Sequence, residues 1–522
     1  MCLGQLTLYN TMNMKIKYIW ILACLIGFSA CNDKEDFEMI EPEVELPPVS
    51  PGSADFSNFV ALGSSFTAGF TDNALFSASQ TFSFPNILAQ QFELVAGGSF
   101  TQPLTNDNLG GLALAGNRIP GFDPRLVFGG AGPVPLESVV GPVTVTTDIA
   151  LNNPTGPFGN LGVPGAKSFH LLAPGYGNLG NVLLGLANPY FVRMTGSTPD
   201  ASVLQLAVAQ SPSFFSLWIG NFDVLGYAIS GGDGTDPITP SAGPPGVGFD
   251  QTYGALIATL TASGAGGVVA NIPDVTTLPY LTTVPHNPVP LDAGTAAAVN
   301  QAYAAYNGGI QAALAALAGT GLFTEEEANA RLISFEASAT NAVVIEDESL
   351  TDLGAINPAF AGLPQIRQAT AEDLIVLPAS NFIGTLADPN NPLSVNGVAI
   401  PLEDKWVLLP SEQKEITDAT TAFNATISST ASAAGLAFVD ADALLGQLTN
   451  GGLTSGNYTL TSNLVTGGAF SLDGVHFTTR GYALIANEFM KAIDATYGSN
   501  FDASGNLVDL GNYPTNYSPA LQ

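Results

Sequence analysis

The stretch FVALGSSFTAG, residues 59–69, joins an apolar run to a turn of small residues. Such a run suits a strand that is buried on both faces. Three further runs have the same character, namely FFSLWIG (214–220), GGVVANIPD (266–274) and GLAFVDADALL (435–445). Helical patterns lie between or after them, at 83–94, 292–319, 411–435 and 479–497. This alternation predicts an α/β fold, a three-layer α/β/α sandwich in which helices cover both faces of a parallel sheet.

The remaining body of the chain contains two irregular insertions. Residues 94–160 are rich in Gly, Pro and Asn, with a hairpin predicted around 141–151, and residues 335–410 are similarly irregular. Long ordered loops are uncommon unless they are functional, so we expect both insertions to wall a substrate site or to form a lid. Ser411 and Glu415 are expected to cap the helix of 411–435.

Composition excludes some classes of function. The net charge of −31 would repel phosphates, so a nucleic acid is not expected as a partner. Hydrophobic residues make up 46% of the chain and charged residues only 11%, which suits a large core. No spacing of His and Cys suits zinc, and the acidic residues look scattered, so neither a metal nor another cofactor is expected.

The N-terminus has the features of a targeting signal. Lysines 15 and 17 precede the apolar run YIWILACLIGFSA (18–30), and small residues stand before Cys31. The segment resembles the lipobox of bacterial lipoproteins, which implies a signal peptide over 1–31 and a lipid on Cys31. Residues 32–54 are acidic and rich in Pro, as expected of a flexible tether. Their first acidic residues resemble surface-export signals of Bacteroidetes lipoproteins, which implies an outer-membrane lipoprotein that faces either the cell surface or the periplasm. A plain secretory signal or a membrane anchor helix is the alternative to a lipoprotein signal.

Histidine is scarce in this chain, and one histidine has a carboxylate close by. The three histidines are His170, His286 and His476, and Asp473 precedes His476 by three residues in DGVHFTTRGYALIANEF (473–489). A histidine held by a carboxylate can remove the proton of a serine and make it a nucleophile. Ser65, in the turn that follows the first apolar run, is the candidate nucleophile; His170 and His286 are expected to be structural or exposed.

Four segments occur in the order that characterises a known family. ALGSSFTAG (61–69), NLGVPGAKS (160–168), LWIGNFDVLGYA (217–228) and DGVHFTTRGYALIANEF together resemble the four blocks of the SGNH, or GDSL-type, esterases and lipases. The resemblance implies a flavodoxin-like fold over residues 55–498, followed by a C-terminal tail over 499–522. It also implies a catalytic triad of Ser65, His476 and Asp473.

The expected oxyanion hole is where this chain departs from the family pattern. The resemblance implies that N–H groups of Ser65 and Gly165 and an asparagine side chain bind the oxyanion. The family reads Gly-x-Asn-Asp, but here Phe222 occupies the position of the asparagine, and Asn221 stands one residue earlier. On an extended segment that shift would point Asn221 to the other face. Either a local bulge brings Asn221 into the hole, another donor replaces it, or catalysis is weakened.

These residues predict a serine-dependent hydrolase of carboxylic esters. The ester is either an acyl lipid or an acetylated glycan, and the sequence does not choose between them. A surface lipoprotein that uses the same fold for binding, with weakened catalysis, is the alternative that Phe222 motivates.

Overall fold

A five-stranded parallel sheet lies at the centre of the computed structural model, which describes residues 46–522. The signal peptide, Cys31 and the tether up to residue 45 lie outside the described residues. The strands are β1 (Phe59–Gly63), β2 (Asn160–Gly162), β3 (Phe214–Trp218), β4 (Gly266–Ala270) and β5 (Ala437–Val439). Every strand pair in this sheet is parallel, in the order β2-β1-β3-β4-β5. The prediction of an α/β fold with a parallel sheet is therefore confirmed.

Helices pack on this sheet in two groups. The main helices are α1 (Ser65–Ala68), α2 (Phe84–Glu93), α3 (Asn221–Ile229), α4 (Phe249–Thr261), α5 (Ala293–Ala316), α6 (Pro410–Ala434), α7 (Ala441–Thr449) and α8 (Thr479–Tyr497). Helix α8 contacts α2 and the sheet, while α6 contacts α3, α4 and the sheet. This arrangement is compatible with three α/β/α layers. Among residues 46–522, no helix has the length and apolarity to cross a membrane.

The strand order fixes where a ligand site is expected. In a doubly wound sheet of this order, β2 is added on one side of β1 and β3 on the other, so the strand order reverses between β1 and β3, and the carboxyl ends of these strands open a crevice there. Registers pair Gly63 at the end of β1 with Gly162 of β2 and with Trp218 of β3. The segments that follow these three residues therefore begin side by side at one edge of the sheet.

In and around the insertions, the described residues form pairs of short antiparallel strands instead of a second large sheet. Two pairs are hairpins, Ala113–Leu114 with Asn117–Arg118 and Leu126–Phe128 with Pro133–Pro135. The other pairs join strands further apart in the chain, namely Val289–Leu291 with Ser338–Asn341, Val344–Glu346 with Ile366–Gln368, and Leu374–Ile375 with Val407–Leu408. A further hairpin, Leu453–Ser455 with Tyr458–Leu460, precedes α8. The hairpin predicted at 141–151 is wrong, because that segment makes only an isolated bridge between Asp148 and Ala113.

The cap of α6 also differs from the expectation. The helix begins at Pro410, and the carboxylate of Glu412 accepts a hydrogen bond from the N–H of Leu409 at 2.6 Å. Ser411 and Glu415 are exposed and do not form the predicted cap. Pro410 lacks an N–H and suits the first helical turn, so the start of the helix moves one residue earlier.

Both ends of the described chain pack on the body. Ser53 donates its N–H to the carbonyl of Tyr497 at 2.8 Å. Near the C-terminus, the buried guanidinium of Arg125 donates to the carbonyls of Ser518 and Leu521 at 2.7 and 3.1 Å. Phe501 is fully buried. Residues 499–522 are thus part of the packed body.

Candidate active site

Ser65 is the first residue of α1, directly beyond the carboxyl end of β1. Its side chain is buried, and its Oγ lies 2.8 Å from Nε2 of His476, which is 411 positions away in the chain. The neighbouring Ser64 is also buried, but its Oγ has no hydrogen-bond partner among the described residues. Of the two adjacent serines, Ser65 is therefore the one that His476 can deprotonate.

The imidazole of His476 connects Ser65 to Asp473. Its Nδ1 lies 2.9 Å from Oδ2 of Asp473, and the backbone N–H groups of His476 and Val475 donate to Oδ1 at 2.8 and 2.9 Å. Burial alone would raise the pKa of Asp473, but the charge and hydrogen bonds of His476 outweigh it and hold that pKa well below its usual range. Asp473 is therefore ionised at neutral pH and orients the ring.

A tight turn at residues 71–74 holds the other side of the Asp473 carboxylate. Asn73 donates its backbone N–H to Oδ2 at 2.8 Å, and Ser471 donates its hydroxyl to Oδ1 at 3.0 Å. Asp72 in turn donates its N–H to the hydroxyl of Ser471 at 3.0 Å. Asp72 and Asn73 both have positive φ, 51° and 61°, a conformation that Asp and Asn tolerate better than most residues. The sequence offered no sign of this support.

Aromatic rings enclose the imidazole. The ring centroids of Phe66 and Phe70 lie 5.5 and 4.6 Å from that of His476. The hydroxyl of Tyr482 donates to the carbonyl of Phe70 at 2.7 Å and thus fixes the position of that residue. These apolar neighbours exclude water from the hydrogen bonds of His476, which strengthens them.

Gly165 lies three residues beyond the end of β2, in the segment next to Ser65. Its φ is +77°, a left-handed conformation that favours glycine, and a Cβ at this position would meet open space. Within residues 46–522, neither the N–H of Gly165 nor that of Ser65 finds an acceptor. Two donors without an acceptor among the described residues thus lie at neighbouring strand ends.

Asn221 begins α3, three residues beyond the end of β3. Its side chain is 1% exposed, and neither Nδ2 nor Oδ1 has a partner within the described part of the chain. Gly220, with φ of +113°, bends the chain directly before it, so Asn221 is helical and the alternation of faces expected for an extended segment does not apply. Phe222 is half-buried and packs against the main hydrophobic core.

Asp223 ties the segment after β2 to helix α3, a link that sequence reasoning missed. Its carboxylate accepts the N–H of Ser168 at 2.8 Å and the Ser168 hydroxyl at 2.6 Å. Burial raises the pKa of Asp223 to about 6 despite these bonds. Because Ser168 is three residues from Gly165, Asp223 holds the Gly165 loop against the start of α3.

The other two histidines make different contacts. Nδ1 of His170 accepts the N–H of Lys167 at 3.0 Å, its ring stacks on Tyr176, and burial lowers its pKa to about 4. The backbone carbonyl of His286 accepts a hydrogen bond from the N–H of Val343. Neither ring bonds a serine hydroxyl in the described structure, in keeping with the expectation that each is structural or exposed.

Three carboxylates from distant positions converge elsewhere in the fold. Oxygen atoms of Glu348, Asp404 and Glu412 lie within 4.8 Å of one another, a grouping that is invisible in the sequence because 64 positions separate the first from the last (412 − 348). Burial, together with the neighbouring carboxylates, raises the pKa of Glu412 well above its usual range, and burial raises that of Asp404 to about 6.

Replacement of Glu412 with glutamine is expected to stabilise the protein above neutral pH. A carboxyl group with a raised pKa binds more protons in the folded than in the unfolded state, so stability falls as pH rises above about 4.3 and levels off beyond the folded-state pKa. The glutamine side chain keeps an oxygen that accepts the N–H of Leu409. Because it does not titrate, it also removes the loss of stability that Glu412 causes as pH rises. We expect a gain on the order of 1 kcal/mol at pH 8, since partial exposure of the neighbouring carboxylates screens the repulsion, and none at pH 4.

Urea unfolding of the Glu412→Gln protein between pH 4 and pH 8.5 checks this expectation. Glu415→Gln, one turn further along α6 and exposed, is the matched control and should show no such trend. A Glu412→Gln effect that does not change with pH would contradict the assignment of the repulsion to this carboxylate.

Comparisons of the chain with protein-family models, with curated proteins and with solved structures find no match.

Proposed function

We propose that this protein is a serine hydrolase of carboxylic esters with the flavodoxin-like fold of the SGNH family. The observation that carries the proposal is the position of His476, which lies within hydrogen-bond distance of Ser65 on one side and of Asp473 on the other. The three residues come from the two ends of the domain. The proposed nucleophile follows β1 at the topological switch point of the sheet, where the strand order reverses and where ligand sites of such folds lie.

In the proposed reaction, His476 removes the proton of Ser65 as the serine oxygen attacks the ester carbonyl. Asp473 keeps Nδ1 of the imidazole protonated and stabilises the imidazolium that forms. The proton then passes from His476 to the alcohol that leaves, and an acyl group remains on Ser65. Water, deprotonated by the same histidine, releases the acid and restores the serine.

The oxyanion of the tetrahedral intermediate needs donors that are already in place. The N–H groups of Ser65 and Gly165 are unpaired within the described residues, and we propose the Asn221 amide as the third donor. A buried amide without a partner costs about 1–3 kcal/mol, a cost that a substrate oxygen would offset. Asn221 would thus take the role of the family asparagine from one residue earlier, with Phe222 turned to the core.

Substitution of Asn221 by leucine is expected to lower kcat without destabilising the fold. Loss of one oxyanion donor typically costs roughly a hundred- to a thousandfold in rate. Leucine has a similar size and removes two unpaired polar atoms, so the unfolding temperature should stay the same or rise. Steady-state kinetics on a short acyl ester together with thermal unfolding measure both effects.

Phe222→Asn is the matched variant for this donor. If Asn221 already fills the role, Phe222→Asn does not increase kcat. A large increase in kcat for Phe222→Asn, combined with wild-type activity for Asn221→Leu, would show that the hole lacks the Asn221 donor.

The proposed function is tested with a panel of esters. Residues 48–522, which form one compact unit, should hydrolyse 4-nitrophenyl esters, and the panel should extend from acetyl to long acyl chains and include an acetylated polysaccharide. Release of acid from at least one of them is the expected result. Failure on the whole panel, with no covalent labelling of Ser65, would favour a binding protein on the same fold.

A further inference from the structure

An exposed group of leucines lies in the segment that follows Gly165. Residues 179–186, here named the leucine loop, contain a 3₁₀ helix, Leu179–Leu184. Leu183, Leu184 and Leu186 are 86%, 68% and 66% exposed. Single exposed apolar residues are ordinary, but an exposed apolar group on one short segment marks a contact surface.

The leucine loop is held in place by side chains at its two ends. At its start, Asn178 accepts the N–H of Gly180 at 2.9 Å. At its end, Asn188 donates its side-chain amide to the carbonyl of Pro164 at 2.8 Å. Pro164 directly precedes Gly165, so the leucine loop is fastened to the segment that carries a proposed oxyanion donor.

Apolar packing continues from the leucine loop to the histidine of the triad. Val182 and Ala187, within and next to the loop, pack on a buried cluster that includes Tyr190. The ring of Tyr190 lies 6.2 Å from that of Phe70, and Phe70 lies 4.6 Å from His476. The exposed leucines are thus the outer end of an apolar path that ends at the imidazole.

The charge around the leucine loop differs from that of the rest of the protein. The chain has 44 Asp and Glu residues and a net charge of −31, yet residues 149–199 contain no acidic residue. The two cationic residues of this segment, Lys167 and Arg193, are buried. Leu151, in the same acid-free segment, is also 66% exposed. The leucine loop and its own segment therefore carry no carboxylate, and the exposed Asp200, just beyond the segment, accepts a hydrogen bond from the side chain of Asn178 at 2.9 Å.

We propose that the leucine loop docks on the surface of aggregated lipid and so delivers lipid esters to Ser65. The proposal rests on the proposed ester hydrolysis and names its substrate class as acyl lipid, not acetylated glycan. An exposed apolar loop that carries no carboxylate of its own can enter the boundary between headgroups and acyl chains, whereas the acidic remainder of the protein stays in water.

Vesicle flotation of residues 48–522 tests the docking surface. The Ser65→Ala protein is used, so that binding is measured without hydrolysis, with vesicles of phosphatidylcholine. We expect the protein to float with these vesicles and to float less with vesicles that contain phosphatidylglycerol at low salt, because the net charge of residues 48–522 is repelled; it is −27, from −31 for the whole chain and −4 for residues 1–47. The further variant Leu183→Ser/Leu184→Ser/Leu186→Ser is expected to lose at least tenfold in vesicle affinity.

The control variant replaces exposed apolar side chains elsewhere. Val247, Leu322 and Leu393 are 53%, 56% and 43% exposed, and Val247→Ser/Leu322→Ser/Leu393→Ser should bind vesicles like the parent protein. Both triple variants should keep the unfolding temperature of the parent, because they change exposed side chains. Equal loss of binding in both would show general stickiness and would overturn the proposal.

Other results also decide between the two proposals. Absence of flotation by the parent protein, while the wild type hydrolyses esters, would reject the docking surface alone. Flotation that depends on the leucines, in a protein that hydrolyses no ester, would reject the proposed function and leave the lipid contact standing. A parent that forms a dimer through the leucines, with no vesicle binding, would assign the leucine loop to contact between two copies and overturn the proposal.

Discussion

Replacement of Ser65 by alanine is expected to abolish the proposed ester hydrolysis. Removal of the triad nucleophile from a well-characterised serine protease lowers kcat by about a millionfold, and only oxyanion binding and proximity then remain. The Ser65 side chain is buried and its one contact of functional interest is with His476, so the fold should tolerate alanine. Initial rates on the best substrate of the ester panel, with circular dichroism to verify the fold, measure the effect.

Ser64→Ala is the matched control for this experiment. Ser64 is adjacent, equally buried and of the same type, but its hydroxyl has no partner among the described residues. Loss of the Ser64 hydroxyl should leave kcat within the same order of magnitude as that of the wild type. If Ser64→Ala were inactive and Ser65→Ala active, the nucleophile would be the other serine and the proposed triad would be wrong.

The second large effect is expected for Asp473→Asn. An amide at this position presents an N–H where Nδ1 of His476 now donates, so the imidazole adopts the wrong tautomer, and a drop of roughly ten-thousandfold in kcat is expected. The new amide would also leave the N–H of Asn73 or the hydroxyl of Ser471 without its acceptor, at a cost of about 1–3 kcal/mol in stability. Steady-state kinetics and urea unfolding measure the two effects separately.

Asp72→Asn separates the role of Asp473 from that of a nearby buried carboxylate. Asp72 accepts the N–H of Leu472 at 3.1 Å, and burial raises its pKa to about 7, so the group is partly protonated at neutral pH. An amide replaces a protonated carboxyl at little cost. Activity should therefore stay at the order of the wild type, and a loss as large as that of Asp473→Asn would mean that the pair acts as one unit.

The strands of the sheet were predictable where they are long and apolar. In the strand FFSLW, successive side chains point to opposite faces of the sheet, so both faces must be covered if this apolar run is to be buried. Such a run therefore predicts a central strand. Strand β2 was missed because Asn160–Gly162 is three residues long and lacks β-branched side chains. Its place in the sheet depends on its pairing with β1, which is a tertiary contact.

The candidate site was predictable only in part, for a similar reason. Asp473 and His476 are three residues apart, so their contact is a local one that the sequence can suggest. The approach of Ser65 to His476 depends on the fold, and the sequence indicated it through the resemblance to SGNH hydrolases. The turn of Asp72 and Asn73, in contrast, supports Asp473 through backbone N–H groups, which no side-chain pattern reveals.

The position of Asn221 could not be predicted from the alternation of side chains along a strand, because Asn221 does not belong to a strand. Side chains alternate between faces on a strand, but the strand ends at Trp218 and Asn221 is already helical. The glycine at 220 allowed this bend, yet a glycine in the sequence does not reveal the φ that it adopts. Burial of both Asn221 side-chain atoms without partners among the described residues became visible only in the folded protein.

Covalent labelling with a fluorophosphonate tests the central claim most directly, because the probe reacts only with a serine that is activated as a nucleophile. Residues 48–522 are incubated with the probe, digested and examined by mass spectrometry, with the His476→Ala protein as the control. We expect one adduct, on Ser65, that is lost in the control. Absence of an adduct on Ser65 in the folded wild-type protein, or equal labelling of the His476→Ala protein, would contradict the proposed triad.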